Sequence, residues 1–380
     1  MPILQLQPEW VLNLGTGQAR ALKGVIELLR AVEQEKNLSR ACAKLHLSYR
    51  HAWGLIQLTS QALGAPLLHS VRGRGATLTP LGERLVWADK RVAARLSPVL
   101  DNLASELEAE IRQSVANPTT AVRIHASHSF GMDALRDHLR EQRVPLELRY
   151  CGSEDALASL CHGTCDFAGF HTPIGELESV VLDRWRKWLR PRTHVLINFV
   201  TRRQGILVAP GNPLHIASLS DLTRPGVRFV NRQHGSGTRV LLDLLLEREG
   251  IDPSNIPGFD NVEYTHAAVG AYIASGMGNA GIAVETAARL FHLGFVPLLQ
   301  ERYFLAYHGG AVDSLPVKRL RDMLRSSEFK ARLSALPGLF ADACGSDLSM
   351  IDAYPQLERK HPDVRRMSVA VEDTPRSATH

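Results

Sequence analysis

Three loops of this chain set small hydroxyl and glycine residues where strands give way to helices, an arrangement suited to holding an anion. Ser127-His128-Ser129 follows one strand candidate, and Gly152-Ser153 follows the next. Asn231-Arg232-Gln233-His234-Gly235-Ser236-Gly237-Thr238-Arg239 leads from a third strand into a long helix. The first amides of a helix lack an intrahelical partner, and the helix dipole favours negative charge beside them. Arg232 and Arg239 can add full charges, while His128, His171 and His266 can add donors. The expected effector site is therefore Ser127, His128, Ser129, Ser153, His171, Arg232, Gly235, Ser236, Gly237, Thr238, Arg239 and His266. Any one of these loops taken alone reads more readily as an ordinary helix cap. Three of them around one cleft point to a ligand.

A second set of residues suits a larger polyanion. Leu38 to Leu45 spaces its apolar residues as a short amphipathic helix, and His46-Leu47-Ser48-Tyr49 interrupts it. Ser48 is a natural cap for the next helix, Tyr49 to about Leu63, whose apolar positions are Leu55, Ile56, Leu58 and Leu63. A short helix, a tight turn and a helix with a polar, basic first turn describe a helix-turn-helix. Its leading edge, Ser48, Tyr49, Arg50 and His51, is expected to meet base edges, with Trp53 packing against the first helix. Leu68 to Gly82 reads as two short strands around a glycine-arginine turn, a wing carrying Arg72 and Arg74 along phosphates. Residues 36–95 hold ten Lys or Arg against only Glu83 and Asp89, a local charge of +8 in a chain of net +5. The remainder is therefore net acidic, and the basic charge is concentrated where DNA would lie.

Other chemistries lack their residues. There is no G-x-S-x-G, no P-loop and no His cluster at metal-ligand spacing, so no catalytic residue, metal or cofactor is expected. Cys161-His162-Gly163-Thr164-Cys165 has loose spacing and no second ligand pair, and reads as ordinary thiols. Gly276-Met277-Gly278-Asn279-Ala280-Gly281 matches G-x-G-x-x-G. It follows a helix and precedes a strand, the reverse of a dinucleotide site, so a helix-to-strand turn is the expectation. Five scattered cysteines, no signal-peptide pattern and no membrane-length apolar run fit a cytoplasmic protein without a membrane partner.

These residues need elements to hold them. Gly82 to Val115 reads as one long helix with Val92, Leu96, Val99, Leu103, Leu107 and Ile111 at steps of three or four. Such a stripe calls for a partner, either the same helix of a second subunit or its own chain, and Pro98 should kink or split it. After the polar break Asn117-Pro118-Thr119-Thr120 the rhythm becomes strand, helix, strand. Strands are expected at 122–126, 146–150, 227–230, 280–283, 206–209 and 303–307, and helices near 131–143, 154–161, 237–249 and 266–275. Two α/β units joined by crossing strands make a clamshell with a cleft at the strand ends. The expected organisation is a head at 1–82, a linker or dimerisation helix at 83–116, an effector domain at 121–345 and a polar tail at 346–380, with residues 374–380 disordered.

Leu22 to Leu85 resembles the winged helix-turn-helix of LysR-type regulators, and Ser48-Tyr49-Arg50-His51-Ala52-Trp53 is similar to the recognition-helix start of ModE-like molybdate regulators. Leu78-Thr79-Pro80-Leu81-Gly82 fits both. Asn231 to Arg239, Tyr264 to Val269, Gly281-Ile282-Ala283 and Leu293 to Leu298 resemble the periplasmic-binding-protein-like domain attached to some molybdopterin-biosynthesis proteins and fused elsewhere to ModE-like heads. The resemblance covers about residues 20 to 345 and extends to regulators of formate dehydrogenase operons. It implies an α/β protein, a winged helix-turn-helix with a long linker helix followed by a two-lobed domain of periplasmic-binding-protein type II. It also implies a homodimer or homotetramer on a palindromic double-stranded operator, with formate or a molybdate-type oxyanion as effector. The molybdate-binding modules that follow the head in ModE are absent, so that ligand does not carry over directly. Two alternatives stay open: an enzyme acting on a small anion or molybdenum-cofactor precursor, and a DNA-binding protein whose body only holds an oligomer together.

Overall fold

A computed structural model describes residues 4–13, 19–71, 75–114 and 121–355. Arg72, Arg74 and residues 374–380 lie outside them. A short hairpin, β1 (Val11–Asn13) and β2 (Ala19–Ala21), precedes α1 (Lys23–Glu35), α2 (Leu38–Lys44) and α3 (Tyr49–Leu63). Asn37 Oδ1 accepts from Arg40 N to start α2, and Ser48 Oγ accepts from His51 N at 3.2 Å to start α3. Val25, Leu28, Leu29, Ala41, Ala52 and Ile56 form the small apolar core beneath them. The wing is the antiparallel pair β3 (Leu68–Val71) and β4 (Gly75–Leu78). Thr79 caps α4 (Pro80–Gln113) and donates to the Pro66 carbonyl, locking the wing to the helix that leaves the head. Gly82 is required there, because a Cβ would lie 2.4 Å from the Leu67 carbonyl oxygen. The helix is continuous through Pro98, so the expected split does not occur.

The body is built on a single mixed sheet. In chain order its elements are β5 (Val122–Ala126), α5 (Phe130–Glu141), β6 (Leu146–Tyr150), α6 (Ser153–Cys161), β7 (Phe167–Pro173), α7 (Glu178–Trp185) and β8 (His194–Val208). Then come β9 (Phe229–Arg232), α8 (Gly237–Glu249), β10 (Val262–Glu263), α9 (His266–Ala274), β11 (Ala280–Val284), α10 (Glu285–Leu290) and β12 (Gly294–His308). The last elements are α11 (Leu315–Arg325), α12 (Ser327–Ser334), β13 (Leu339–Phe340), β14 (Asp347–Ser349) and α13 (Met350–Ala353).

The strand order is β10-β9-β11-β8-β12-β7-β5-β6. β7, β5 and β6 are parallel to one another, as are β11, β9 and β10, giving each lobe its own parallel trio. Between the trios run β8 and β12, antiparallel to each other and fifteen residues long, so that each passes from one lobe into the other. The fully buried strand β11 carries apolar or small residues on both faces, as parallel sheets covered by helices require, whereas β7 adds the polar His171 and Thr172.

Three expectations need correction. The segments 206–209 and 303–307 are not short separate strands but parts of the two long ones, except that Ala209 falls just past β8. The strand expected at 227–230 begins at Phe229 and continues to Arg232, which takes Asn231 and Arg232 out of the loop. The polar tail expected from Ser346 instead begins with β14 against β8 and α13, and Met350, Ala353 and Tyr354 are buried. The tripeptide 347–349 alternates too briefly to be recognised as a strand without its partner. The glycine motif at 276–281 does form a helix-to-strand turn, with Gly276 at φ 76°.

Helix α4 does not stand free of the body. Asn102 exchanges two hydrogen bonds with the Tyr150 backbone (2.7 and 3.0 Å), and Ser105 Oγ accepts from Leu148 N, so α4 covers the outer edge of β6. Further along, Thr265 Oγ1 donates to the Ala94 carbonyl at 2.9 Å, and Arg95 pairs with Glu263 at 2.6 Å. One helix therefore touches both lobes.

Candidate effector cleft and DNA-binding surface

The lobes enclose a cavity of about 400 Å³ at the carboxyl ends of their strands. Its walls contain Ser127, His128, Ser153, His171, Arg232, Gly235, Ser236, Gly237, Thr238 and His266 from the sequence-derived set. Ser129 and Arg239 are not brought into it. Ser129 is the buried cap of α5, accepting from Met132 N. Arg239 turns along α8 instead, donating to Asp243 at 2.8 Å and lying over the Phe259 ring, so its charge is already matched.

The waist strands supply the floor. Arg202 on β8 and Glu301 on β12 are directly opposed in register, and Arg202 Nε donates to Glu301 Oε2 at 2.8 Å. Gln204 Nε2 donates to the same carboxylate and to Thr238 Oγ1, tying the floor to the start of α8. His171 Nδ1 lies 3.1 Å from Ser127 Oγ, whose carbonyl accepts from Tyr303 OH at 2.7 Å. His171 Nε2 lies 3.5 Å from Glu301 Oε1. Gly237 is indispensable to this packing, because a Cβ there would come within 2.2 Å of His171 Nε2. His128 is held by Asp133 at 3.3 Å, and Asp133 also accepts from Tyr150 OH.

Two buried arginines dominate the electrostatics of the cleft. Arg232 is 5% exposed. Its Nη2 donates to the Tyr264 carbonyl, its Nε to Gln233, and its Nη1 is buried without a hydrogen-bond partner. No carboxylate among the described residues forms an ion pair with it. Burial, reinforced by the nearby Arg202 charge and opposed by Glu263 and Glu301, pulls the Arg232 guanidinium down to about 9. Arg202 Nη1 is likewise buried and unpartnered. Burial is also the main reason that His171 is pushed down to about 4, with Glu301 opposing and the two arginines assisting. His266 falls well below its ordinary value through burial and the same arginine charges. Both rings are therefore neutral near pH 7 and can act as donors. The Glu301 carboxyl is held below its usual range despite its burial, because Arg202 and His171 face it.

Arg202, Glu301, Tyr303 and Arg95 were not anticipated. The polar run Thr201-Arg202-Arg203-Gln204 interrupts two apolar stretches and reads as a break in the sequence. In the fold it is the middle of β8. A lone Arg-Glu pairing across two long strands leaves no local signal.

In the head, Tyr49, Arg50 and His51 are exposed at the start of α3, as a recognition helix requires. Trp53 does not pack against the first helix. It is 36% exposed and stacks on Tyr49, ring centroids 6.4 Å apart and ring planes nearly parallel, because α3 already fills that contact with Ala52 and Ile56.

A basic winged helix-turn-helix joined to a two-lobed sheet domain defines a DNA-binding regulator with a ligand-binding body. Residues 25–83 match the helix-turn-helix model of bacterial regulatory proteins of the lysR family, and residues 136–325 match the PBP superfamily domain. The chain belongs to the PBP superfamily through its body, and carries a helix-turn-helix of the lysR type ahead of it. Among its relatives, the uncharacterised protein YvgK of Bacillus subtilis (strain 168) is 33% identical over 215 residues, 56% of this chain and 69% of that protein. The molybdenum transport protein ModE of Azotobacter vinelandii is 32% identical over 101 residues, 25% of this chain and 37% of ModE. The molybdenum-pterin-binding protein MopB of Rhodobacter capsulatus is 30% identical over 103 residues, 25% of this chain and 38% of MopB. Among solved structures, OxyR of Corynebacterium glutamicum matches with a TM-score of 0.39 at 13% identity, over 94% of this chain and 98% of that one. CbnR in complex with its target DNA matches with a TM-score of 0.36 at 16% identity, over 79% and 97%. Among the described residues no helix is long and apolar enough to cross a membrane.

Proposed function

We propose that this regulator senses an anion held between Arg232 and Arg202, and that occupancy of the cleft sets its grip on a palindromic operator. The observation that carries this reading is Arg232, a buried guanidinium with one nitrogen unpartnered and no carboxylate paired to it among the described residues. A buried cation is costly unless a counter-charge is supplied, and the cavity beside it is where one fits. Helix starts at Ser153, Gly237 and His266 add amide donors of the same sign. The finer reading is formate or a molybdate-type oxyanion, with a molybdenum-enzyme or formate dehydrogenase operon as target. Its support is the kinship of a quarter of the chain to proteins named for molybdenum. Ser48, Tyr49, Arg50 and His51 are proposed to read bases, and Arg72 and Arg74 to hold phosphates. Leu96, Val99, Leu103, Leu107 and Ile111 remain exposed on α4, which supports pairing of α4 with a second subunit in a homodimer or homotetramer.

The test is a thermal-shift titration with formate, molybdate, tungstate, sulfate, nitrate and phosphate at fixed ionic strength. A ligand that binds only the folded chain raises its melting temperature as concentration passes the dissociation constant. Stabilisation by formate alone identifies a formate sensor, and by molybdate and tungstate together a metal-oxyanion sensor. An Arg232→Ala protein that responds as the wild type does would refute the anion site.

A further inference from the structure

We propose that Arg95 of α4 belongs to the effector site, so that the linker helix itself is a wall of the cleft and reports its occupancy. This rests on the anion reading above and assigns a residue outside the body to the site. Arg95, Pro98 and Val99 line the cavity beside Arg232 and Tyr264. The Arg95 guanidinium lies over the Tyr264 ring and is 41% exposed, whereas its partner Glu263 is 2% exposed. Glu263 is opposite Arg232 in the β9-β10 register. Glu263 therefore lies beside the cation of the cleft while pairing with the cation of the linker helix, and an anion entering the cleft competes with it for Arg95. Binding draws Arg95 from Glu263 toward the ligand. Because α4 is also fastened to the other lobe by Asn102 and Ser105, that shift moves the helix as a bar across both lobes. The same helix starts at Thr79, the end of the wing, so its movement is delivered to the head.

The charges give this arrangement an unusual signature. Arg95→Ala removes a donor from the bound anion, whereas Glu263→Gln removes the competitor. The first should weaken binding about tenfold, as loss of a charge-assisted hydrogen bond does, and the second should tighten it. A merely structural ion pair would give losses of the same sign from both. The experiment titrates formate, molybdate, sulfate and phosphate into wild type, Arg95→Ala, Glu263→Gln and Arg232→Ala full-length proteins, by thermal shift and by hydrogen exchange of the 80–113 segment. Opposite changes from the two variants, with altered exchange around Arg95 on binding, support the proposal. Wild-type affinity in Arg95→Ala, with binding lost in Arg232→Ala, overturns it and leaves the anion site standing. Changes of the same sign in both variants also overturn it. Wild-type binding by Arg232→Ala, or no response of the wild type to any of the four anions, overturns both.

Discussion

Replacing Arg232 by Met should make the anion-free protein more stable and insensitive to anions. In the absence of a ligand the guanidinium sits in a site that is 5% exposed, where burial and the Arg202 charge take it from 12.5 to about 9. At about 1.36 kcal/mol per pH unit this is an electrostatic cost on the order of 5 kcal/mol. The substitution loses the donor bonds to the Tyr264 carbonyl and to the Gln233 side chain, together worth about 2–3 kcal/mol. Met keeps most of the volume and adapts to irregular space. The balance favours the variant by about 2–3 kcal/mol, or a melting temperature higher by roughly 4–12 °C for a body of this size. Calorimetry or urea unfolding in anion-free buffer measures this directly. Adding the ligand should then reverse the order. Wild type gains about 2.7 kcal/mol at a hundredfold excess over its dissociation constant, and the variant gains nothing. If the anion-free variant melts several degrees below wild type, the reasoning is wrong. Arg232 would then be fully compensated by its own chain, and the cleft would not be short of a counter-charge.

Three further outcomes follow from the same geometry. Gly237→Ala forces a methyl against His171 Nε2, so it should cost about 1–3 kcal/mol by overpacking and reduce anion affinity, both read in one thermal titration; unchanged affinity would separate His171 from the site. His171 is at about 4 when folded and near 6.5 when unfolded, so the unfolded chain binds more protons between those values. Stability without ligand should therefore fall as pH drops from about 6.5 toward 4, while anion affinity rises, because the anion favours the protonated ring; a flat affinity across that window would contradict the contact. Arg50→Ala should weaken binding to the operator selectively, whereas Arg74→Ala should weaken all DNA alike and flatten the salt dependence; equal losses from both would contradict the division of roles.

The parts of this molecule that were legible in the sequence are those whose cause is local. Ser48 announces a helix start because a short acceptor side chain has only its own next turn to cap. Gly235-Ser236-Gly237 announces a tight strand-to-helix loop for a related reason, since backbone must approach closely there. Arg232 and Arg239 show where locality ends. They are seven residues apart and chemically identical in the sequence, but one stops at a strand end facing the cleft while the other rides one turn into α8 and meets Asp243. An i, i+4 acid was available to Arg239 all along, and it outcompetes a distant cleft. The floor was invisible for the opposite reason. Arg202 and Glu301 are ninety-nine positions apart, and only the register of two fifteen-residue strands makes them neighbours. Those same two strands are the connection between the lobes. Any change in the angle between the lobes must bend β8 and β12 near this pair, so Arg202, one of the residues proposed to hold the anion, lies where the lobes would flex. The sequence divides the chain into a sensor and a helix that carries its message, whereas the packing of α4 across that waist makes them adjoining walls of one cavity.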